Sequence, residues 1–207
     1  MSKILTTQLT GLLQRIEKTE EEMIGDAARI LAQAGIGEGT VYFAAFGELE
    51  GITINALQGV SPFKQGARWT DEVELTSADR VIIFTRSAKD TEAIALAERL
   101  NNEFVPFAAV AAESEGDDNE LSQLAYAYIS LKIRNGLLPH PEKLGDRIVF
   151  PHLIAALYVY EAMKMEYDEM VEDDDLADEE EPSELLSAEE MHASPFGGVL
   201  HTQNKEK

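Results

Sequence analysis

Two short segments of the chain, residues 40–46 and 80–85, are apolar on both faces, and each leads into a helical pattern. The first reads TVYFAAF and is followed by a helical stretch at 52–57, while the second reads RVIIFT and is followed by one at 91–100. Strands buried on both faces belong almost only to parallel sheets that helices cover. The repeated strand and helix order therefore predicts an α/β domain with a mainly parallel sheet.

The remaining segments extend this pattern. Residues 104–110 predict a third strand with Pro106 near its start, because proline cannot donate to a ladder. Residues 125–133 alternate as a strand does, although Leu121, Leu124 and Tyr128 would also suit a helix. Residues 60–76 are long enough for a short edge strand. A long N-terminal helix ending at 35–37 and a last helix opening at Pro151 complete a predicted three-layer α/β/α sandwich.

The charge of the chain is acidic and unevenly distributed. The formal net charge is -22, with 25 acids and 15 bases in residues 1–167 but 14 acids and 2 bases in residues 168–207. Runs of like charge with few large apolar residues cannot bury enough surface to fold. We therefore expect a folded domain over 1–167 and an acidic, largely disordered tail over 168–207, which could dock onto a protein partner or mimic a nucleic acid.

Composition also excludes several classes of function. An acidic surface repels phosphate backbones and anionic lipids, so neither nucleic acid nor membrane is expected as a partner. The chain has no cysteine, which excludes disulfides, thiolate nucleophiles and thiolate metal ligands. It also has no signal peptide pattern and no apolar run near the roughly 18 residues of a membrane span. These observations predict a cytoplasmic protein.

Polar residues gather where the strand at 80–85 passes into its helix. Hydroxyls and free backbone N–H groups at a helix N-terminus make an anion site, and a phosphate would fit there. The candidate phosphate or sugar-binding residues are Gly47, Thr85, Arg86, Ser87, Ala88, Lys89, Asp90 and Thr91. Alternatively, Ser87 or Asp90 simply caps the helix, and the basic side chains are ordinary solvated surface.

This turn resembles the motif of the SIS (sugar isomerase) domains, Ser-x-Ser-Gly-x-Thr-x-Glu at the end of a strand. Thr85, Ser87 and Glu92 match it in kind, whereas Ala88 replaces the glycine and Asp90 the threonine. The resemblance extends over 40–163, and the whole chain is similar to a small bacterial family of SIS-like fold, sometimes labelled phosphoheptose isomerases. It implies a flavodoxin-like arrangement, a sugar phosphate as ligand and a homodimer.

The resemblance also implies aldose-ketose isomerisation, which needs an acid and a base with pKa values near neutrality. The candidate catalytic residues are Glu48, His140 and His152, although Glu48 could be a solvated loop carboxylate and His152 a capping or packing residue. Phosphoheptose isomerases of this fold use zinc held by His and Glu, but no such set can be matched in this sequence. We therefore expect no metal and no cofactor.

Two functions follow from these observations. The first is a SIS-like protein that binds a sugar phosphate and isomerises it. The alternative is a noncatalytic, degenerate SIS module that acts as a small-anion sensor or as an oligomeric interaction protein. Residues 46–51 favour the alternative, because they offer no hydroxyl and two carboxylates, Glu48 and Glu50, that would repel an anion. A phosphoacceptor is excluded because residues 110–112 supply no aspartate for Mg²⁺.

Overall fold

A five-stranded parallel sheet forms the centre of the structure, a computed structural model that describes residues 2–116 and 118–180. Its strands are β1 (Val41–Ala45), β2 (Gly66–Arg68), β3 (Arg80–Phe84), β4 (Phe107–Ala111) and β5 (Ala127–Ser130), in the order β2-β1-β3-β4-β5. The helices are α1 (Ser2–Ile36), α2 (Glu50–Gln58), α3 (Thr91–Asn102), α4 (Glu120–Leu124) and α5 (His152–Glu180), with a 3₁₀ turn at Gly47–Leu49. A small antiparallel pair joins β6 (Leu138–Pro139) to β7 (Arg147–Ile148).

Helices cover both faces of the sheet, which explains why its central strands are apolar throughout. Side chains of α1, α2 and α5 form one core with one face of the sheet, and those of α3 and α4 form a second core with the other face. The predicted three-layer α/β/α sandwich with a parallel sheet is therefore confirmed. The edge strand predicted within 60–76 is β2, and the segment that suited either a strand or a helix contains strand β5.

The two long helices α1 and α5 pack against each other closely. A Cβ added at Gly35 would lie 2.6 Å from the hydroxyl of Tyr167, so the helices could not approach as they do with a larger residue there. The apolar stripe of α1, including Leu12, Ile16 and Leu31, is buried in this core. Glu20 lies on the same stripe and is buried with it.

Helix α5 continues past the boundary that composition suggests. The sequence predicts the end of the domain at Tyr167, whereas the helix runs on to Glu180. Val171 is buried against the core, and Lys164 pairs with Asp168 one turn further along the helix. Residues 181–207 lie outside the described residues, so the disordered tail stays a prediction there. Within 2–116 and 118–180, no helix is both long and apolar enough to cross a membrane.

Candidate functional site

The loops that follow β1, β3, β4 and β5 meet at the carboxyl edge of the sheet. The parallel register pairs Ala45 with Phe84, and Ala111 with Ser130, so the strands end close to one another. Open parallel sheets bind their ligands at this edge. The start of α5 lies at the same edge, because His152 and residues of these loops line one cavity.

Two of the cavities at this edge adjoin each other. The larger, about 790 Å³, lies between the first half of α1 and the loops after β4 and β5. The smaller, about 240 Å³, lies between Ser87, the same loops and His152. They share the residues Ala112, Glu113, Ile133, Arg134 and Asn135. We call the two cavities together the edge cleft; its larger part is within the range of small-molecule sites.

The larger cavity is lined by cations, although the chain as a whole is strongly acidic. Arg15, Lys132, Arg134 and Arg147 line it, and Glu113 is the one acid among the described residues that line it. Arg147 donates to the backbone carbonyls behind the cavity. Within residues 2–116 and 118–180, the guanidinium groups of Arg15 and Arg134 have neither an ion pair nor a hydrogen bond. The edge cleft therefore holds positive charge that no acid among residues 2–116 and 118–180 neutralises by an ion pair.

A buried carboxylate fixes the end of β5 behind this cavity. Glu20 accepts a hydrogen bond from the backbone N–H of Ser130 at 2.8 Å, and its other oxygen lies 2.5 Å from the ammonium of Lys132. Lys132 has a φ of 54°, a conformation uncommon outside glycine that persists only where its surroundings hold it. The contact therefore sets the course of the chain into Arg134.

The turn between β3 and α3, residues 85–91, contains its own anions. Asp90 caps α3: one carboxylate oxygen accepts from the backbone N–H of Glu92 and the other from the hydroxyl of Thr85, at 3.1 and 2.9 Å. The capping role that the sequence left open is therefore filled by Asp90. The hydroxyl of Thr85 is buried in that contact.

The donors of Ser87 and Ala88 are also occupied. The Ser87 hydroxyl donates to one carboxylate oxygen of Glu113 at 2.6 Å, and the backbone N–H of Ala88 donates to the other at 2.7 Å. Both donors point to one small region, as an anion site requires. In this structure the anion bound there is the carboxylate of Glu113, which comes from the loop after β4.

Beside this turn, Arg86 connects two of the predicted catalytic residues. Its guanidinium lies 3.6 Å from the carboxylate of Glu48 and 5.2 Å from the ring centre of Phe150. The Phe150 ring in turn stacks on the imidazole of His152. The structure therefore brings Glu48 and His152 to the same side of the edge cleft.

His152 is buried at the start of α5, and its Nδ1 has no hydrogen-bond partner among the described residues. Burial lowers the pKa of this imidazole, and the charge of Arg86 lowers it further, while Glu48 and Glu113 oppose the shift. The imidazole is therefore neutral near pH 7. A neutral imidazole can accept a proton, which a general base must do.

The remaining predicted residues line neither cavity of the edge cleft. His140 lines neither cavity of the edge cleft, and its Nδ1 accepts from the backbone N–H groups of Glu142 and Lys143. Gly47 has a φ of 59° and open space around its Cα, at the end of β1. Lys89 and Thr91 are exposed at the start of α3. Within the described residues, no three His, Asp or Glu side chains form a group that could hold a metal ion.

Sequence reasoning missed five residues of the site: Glu20, Glu113, Arg15, Arg134 and Arg147. A signal existed for two of them. Glu20 is spaced four residues from Ile16 and from Ile24, which places it on the apolar stripe of α1. Glu113 follows the third strand at the same edge as Thr85. The three arginines are far apart in the sequence and gave no pattern.

Comparison with known proteins assigns the chain to a family. The family described as "Domain of unknown function (DUF2529)" matches residues 1–171. The chain belongs to this family. It is also similar to the "Uncharacterized protein YwjG" of Bacillus subtilis (strain 168), with 33% identity over 174 residues, covering 84% of this chain and 99% of the relative.

Solved structures show what fold this DUF2529 chain has. The sugar isomerase domain of the RpiR transcription factor from Sphaerobacter thermophilus is similar over 85% of this chain and 93% of its own, with a TM-score of 0.56 and 15% identity. The Vibrio vulnificus NanR protein complexed with ManNAc-6P has a TM-score of 0.56 and 13% identity, over 86% of this chain and 67% of its own.

Phosphoheptose isomerase GmhA from Neisseria gonorrhoeae has a TM-score of 0.53 and 11% identity, over 84% of this chain and 96% of its own. At these identities the likeness concerns the fold alone. It confirms the SIS-like fold that the motif at 85–92 predicted. A fold of this kind does not by itself assign an activity, so the function has to be argued from the site.

Proposed function

We propose that the protein binds a small phosphorylated sugar in the edge cleft. The observation that carries this proposal is the concentration of cations in a chain whose net charge is -22. Clefts lined by one sign of charge raise the local concentration of ligands of the opposite sign. An anion of low molecular weight therefore suits this cleft.

Phosphate is the anion that the side chains suit. Arginine pairs with phosphate through two parallel hydrogen bonds, and Arg15 and Arg134 can do so without giving up an ion pair to any described residue. Arg134 also lines the smaller cavity together with Ser87, the residue to which the SIS motif assigns the phosphate. We therefore assign the phosphate to the region between Ser87 and Arg134.

The sugar would then occupy the rest of the smaller cavity. Asn135, Phe150 and His152 line it, and they supply an amide, an aromatic face and an imidazole. Such groups suit hydroxyls and the apolar face of a sugar ring. Two proteins of similar fold support this class of ligand, because one is described in complex with ManNAc-6P and another is a phosphoheptose isomerase.

Isothermal titration with a panel of sugar phosphates, their unphosphorylated parents and inorganic phosphate tests the proposal. We expect one or more sugar phosphates to bind, and Arg134→Ala to weaken that binding about tenfold or more, since hydrogen bonds to charged groups contribute about 1.5–3 kcal/mol. Arg29→Ala removes an equal charge from an exposed arginine of α1 that pairs with Asp26, and should leave binding unchanged. Equal losses in both variants, or no binding at millimolar ligand, would refute it.

Isomerisation of the bound sugar phosphate is the second candidate function. The observation in its favour is His152, which lines the smaller cavity with a neutral imidazole whose buried Nδ1 has no partner among the described residues, and whose pKa the nearby Glu48 carboxylate affects. One of the two would move a proton between adjacent sugar carbons, and the other would assist ring opening. His140 stays a prediction that this arrangement does not use.

An isomerase assay on whichever sugar phosphate binds decides between the two candidates. His152→Gln and Glu48→Gln should each reduce turnover by about 10²-fold or more, the usual contribution of a general acid or base, without a comparable loss of binding. Binding with no turnover in the unmodified protein would instead favour a sensor, the noncatalytic alternative. Turnover that survives both substitutions would exclude these residues from the chemistry.

The homodimer, the cytoplasmic location and a protein partner for the tail also stay predictions. The apolar stripe of α1 is used by the protein's own core. Exposed apolar side chains instead lie around the start of α5, where Phe150, Leu153 and Ile154 are each at least 39% exposed. Light scattering of the purified protein measures the oligomeric state directly.

A further inference from the structure

We infer that Glu113 is a resident ligand of the phosphate position, which an incoming phosphate has to displace. This inference rests on the proposed function, since it concerns how the same site selects its ligand. It makes Glu113 a residue that determines specificity rather than one that carries out chemistry. The SIS-like motif does not include this position, because Glu113 belongs to the loop after β4.

The contacts of the Glu113 carboxylate are those a phosphate would make. Its two oxygens accept from the Ser87 hydroxyl at 2.6 Å and from the Ala88 N–H at 2.7 Å, which are short distances typical of charged acceptors. The Ser87 hydroxyl in turn accepts from the N–H of Lys89 at 3.2 Å. The turn thus holds an anion that belongs to the protein itself, in a two-point contact.

The backbone of Glu113 is anchored, so its release requires movement of the side chain alone. The hydroxyl of Tyr128 donates to the Glu113 carbonyl at 2.8 Å, and the N–H of Ile133 donates to the carbonyl of Ala112. Glu113 also lines the larger cavity, where there is volume for its carboxylate to rotate away from Ser87. The side chain can therefore leave the turn without disturbing β4 or β5.

Displacement makes the site selective for strongly charged ligands. A carboxylate and a phosphate cannot share the two donors, because like charges at contact distance repel strongly where water is partly excluded. A neutral sugar gains too little from Ser87 and Ala88 to replace a charged resident ligand. A phosphate brings more charge and more acceptor oxygens, and it also reaches Arg134.

Titration of inorganic phosphate into the full chain and its variants tests the inference. Glu113→Ala should bind phosphate at least tenfold more tightly than the unmodified protein, and Glu113→Gln should follow in the same direction because it removes the charge and keeps the size. Glu115→Ala is the matched control, since Glu115 is an exposed acid two residues away with no contact to Ser87. The gain should disappear in the double variant Glu113→Ala, Ser87→Ala.

The outcomes separate this inference from the proposed function. If sugar phosphates bind but neither Glu113 variant binds phosphate more tightly than the Glu115 control, the inference fails and the proposed function stands. If Glu113→Ala binds inorganic phosphate tightly and no form binds a sugar phosphate, the inference stands and the sugar assignment fails. If no form binds any phosphate, both fail. Urea unfolding of each variant verifies that it is folded.

Discussion

Replacing Glu20 by alanine should destabilise the protein by about 3–5 kcal/mol, the usual cost of removing one partner from a buried ion pair. Glu20 is 4% exposed, and it accepts from the Ser130 N–H at 2.8 Å while lying 2.5 Å from the Lys132 ammonium. Alanine removes both acceptors. It leaves a buried N–H without a partner and a half-buried cation without a counter-charge.

The parts of this cost can be separated with two further variants. Glu20→Gln keeps an acceptor for Ser130 and nearly the same volume, so it should lose only the charge, about 1–2 kcal/mol. Glu22→Ala removes an exposed carboxylate of the same helix and should change the free energy of unfolding by no more than about 0.5 kcal/mol. The order of the three variants is therefore part of the prediction.

Urea unfolding of the full chain at neutral pH, with linear extrapolation to water, measures these free energies. Heating should show the same order, with a fall in Tm of about 6–20 °C for Glu20→Ala. A double-mutant cycle with Lys132→Ala should give an interaction energy of about 0.5–3 kcal/mol between the two side chains. A loss under 1 kcal/mol for Glu20→Ala, or one equal to that of Glu22→Ala, would refute the burial argument.

Two further predictions concern α1 and the start of α5. Gly11→Ala should stabilise the protein by up to about 1 kcal/mol, because a Cβ there meets nothing and alanine has the higher helix propensity. Gly35→Ala should destabilise it by about 1–3 kcal/mol, because the added Cβ would lie 2.6 Å from the Tyr167 hydroxyl. Urea unfolding measures the free energy of unfolding of both variants. Changes of the same sign would contradict the close packing of α1 against α5 at Gly35. Burial, and then Arg86, lower the pKa of His152 below its ordinary value of 6.5, so the unfolded chain takes up the proton first. The stability that the neutral His152 contributes is therefore fully present above about pH 6.5, and it is lost as the pH falls from there through the pKa of His152 in the folded protein. His152→Gln should flatten the pH dependence of the free energy of unfolding over that range. Parallel pH profiles for the variant and the unmodified protein would exclude this linkage.

Most of the fold could be predicted from the sequence because its signals are local. Runs such as 80–85, apolar on both faces, indicate a strand between two layers of helices wherever they occur. The period of α1 predicted a long helix, and the glycines at 35 and 37 predicted its end within a residue. Length and turn residues also pointed to β2. The sequence did not predict the strands β6 and β7, because strands of two residues have no periodic pattern of side chains.

The SIS-like motif predicted an anion site at the turn after β3, but it did not predict that a carboxylate of the protein contacts the donors of that turn. The local pattern identified Ser87 as an anion donor, and the structure has it donating to a carboxylate. That carboxylate lies 26 residues further along the chain, on the loop of the neighbouring strand. No spacing rule within one segment of sequence joins the two.

The sequence by itself determined which segments form strands and helices, and it predicted a ligand site at the carboxyl edge of the sheet. Only the tertiary structure decided which charges meet there. Arg15 on α1 and Arg134 after β5 line one cavity, and Glu20 reaches Ser130 across 110 residues. Secondary structure follows from periodicities over a few residues, whereas a site at the edge of a parallel sheet is assembled from loops that the strand order brings together.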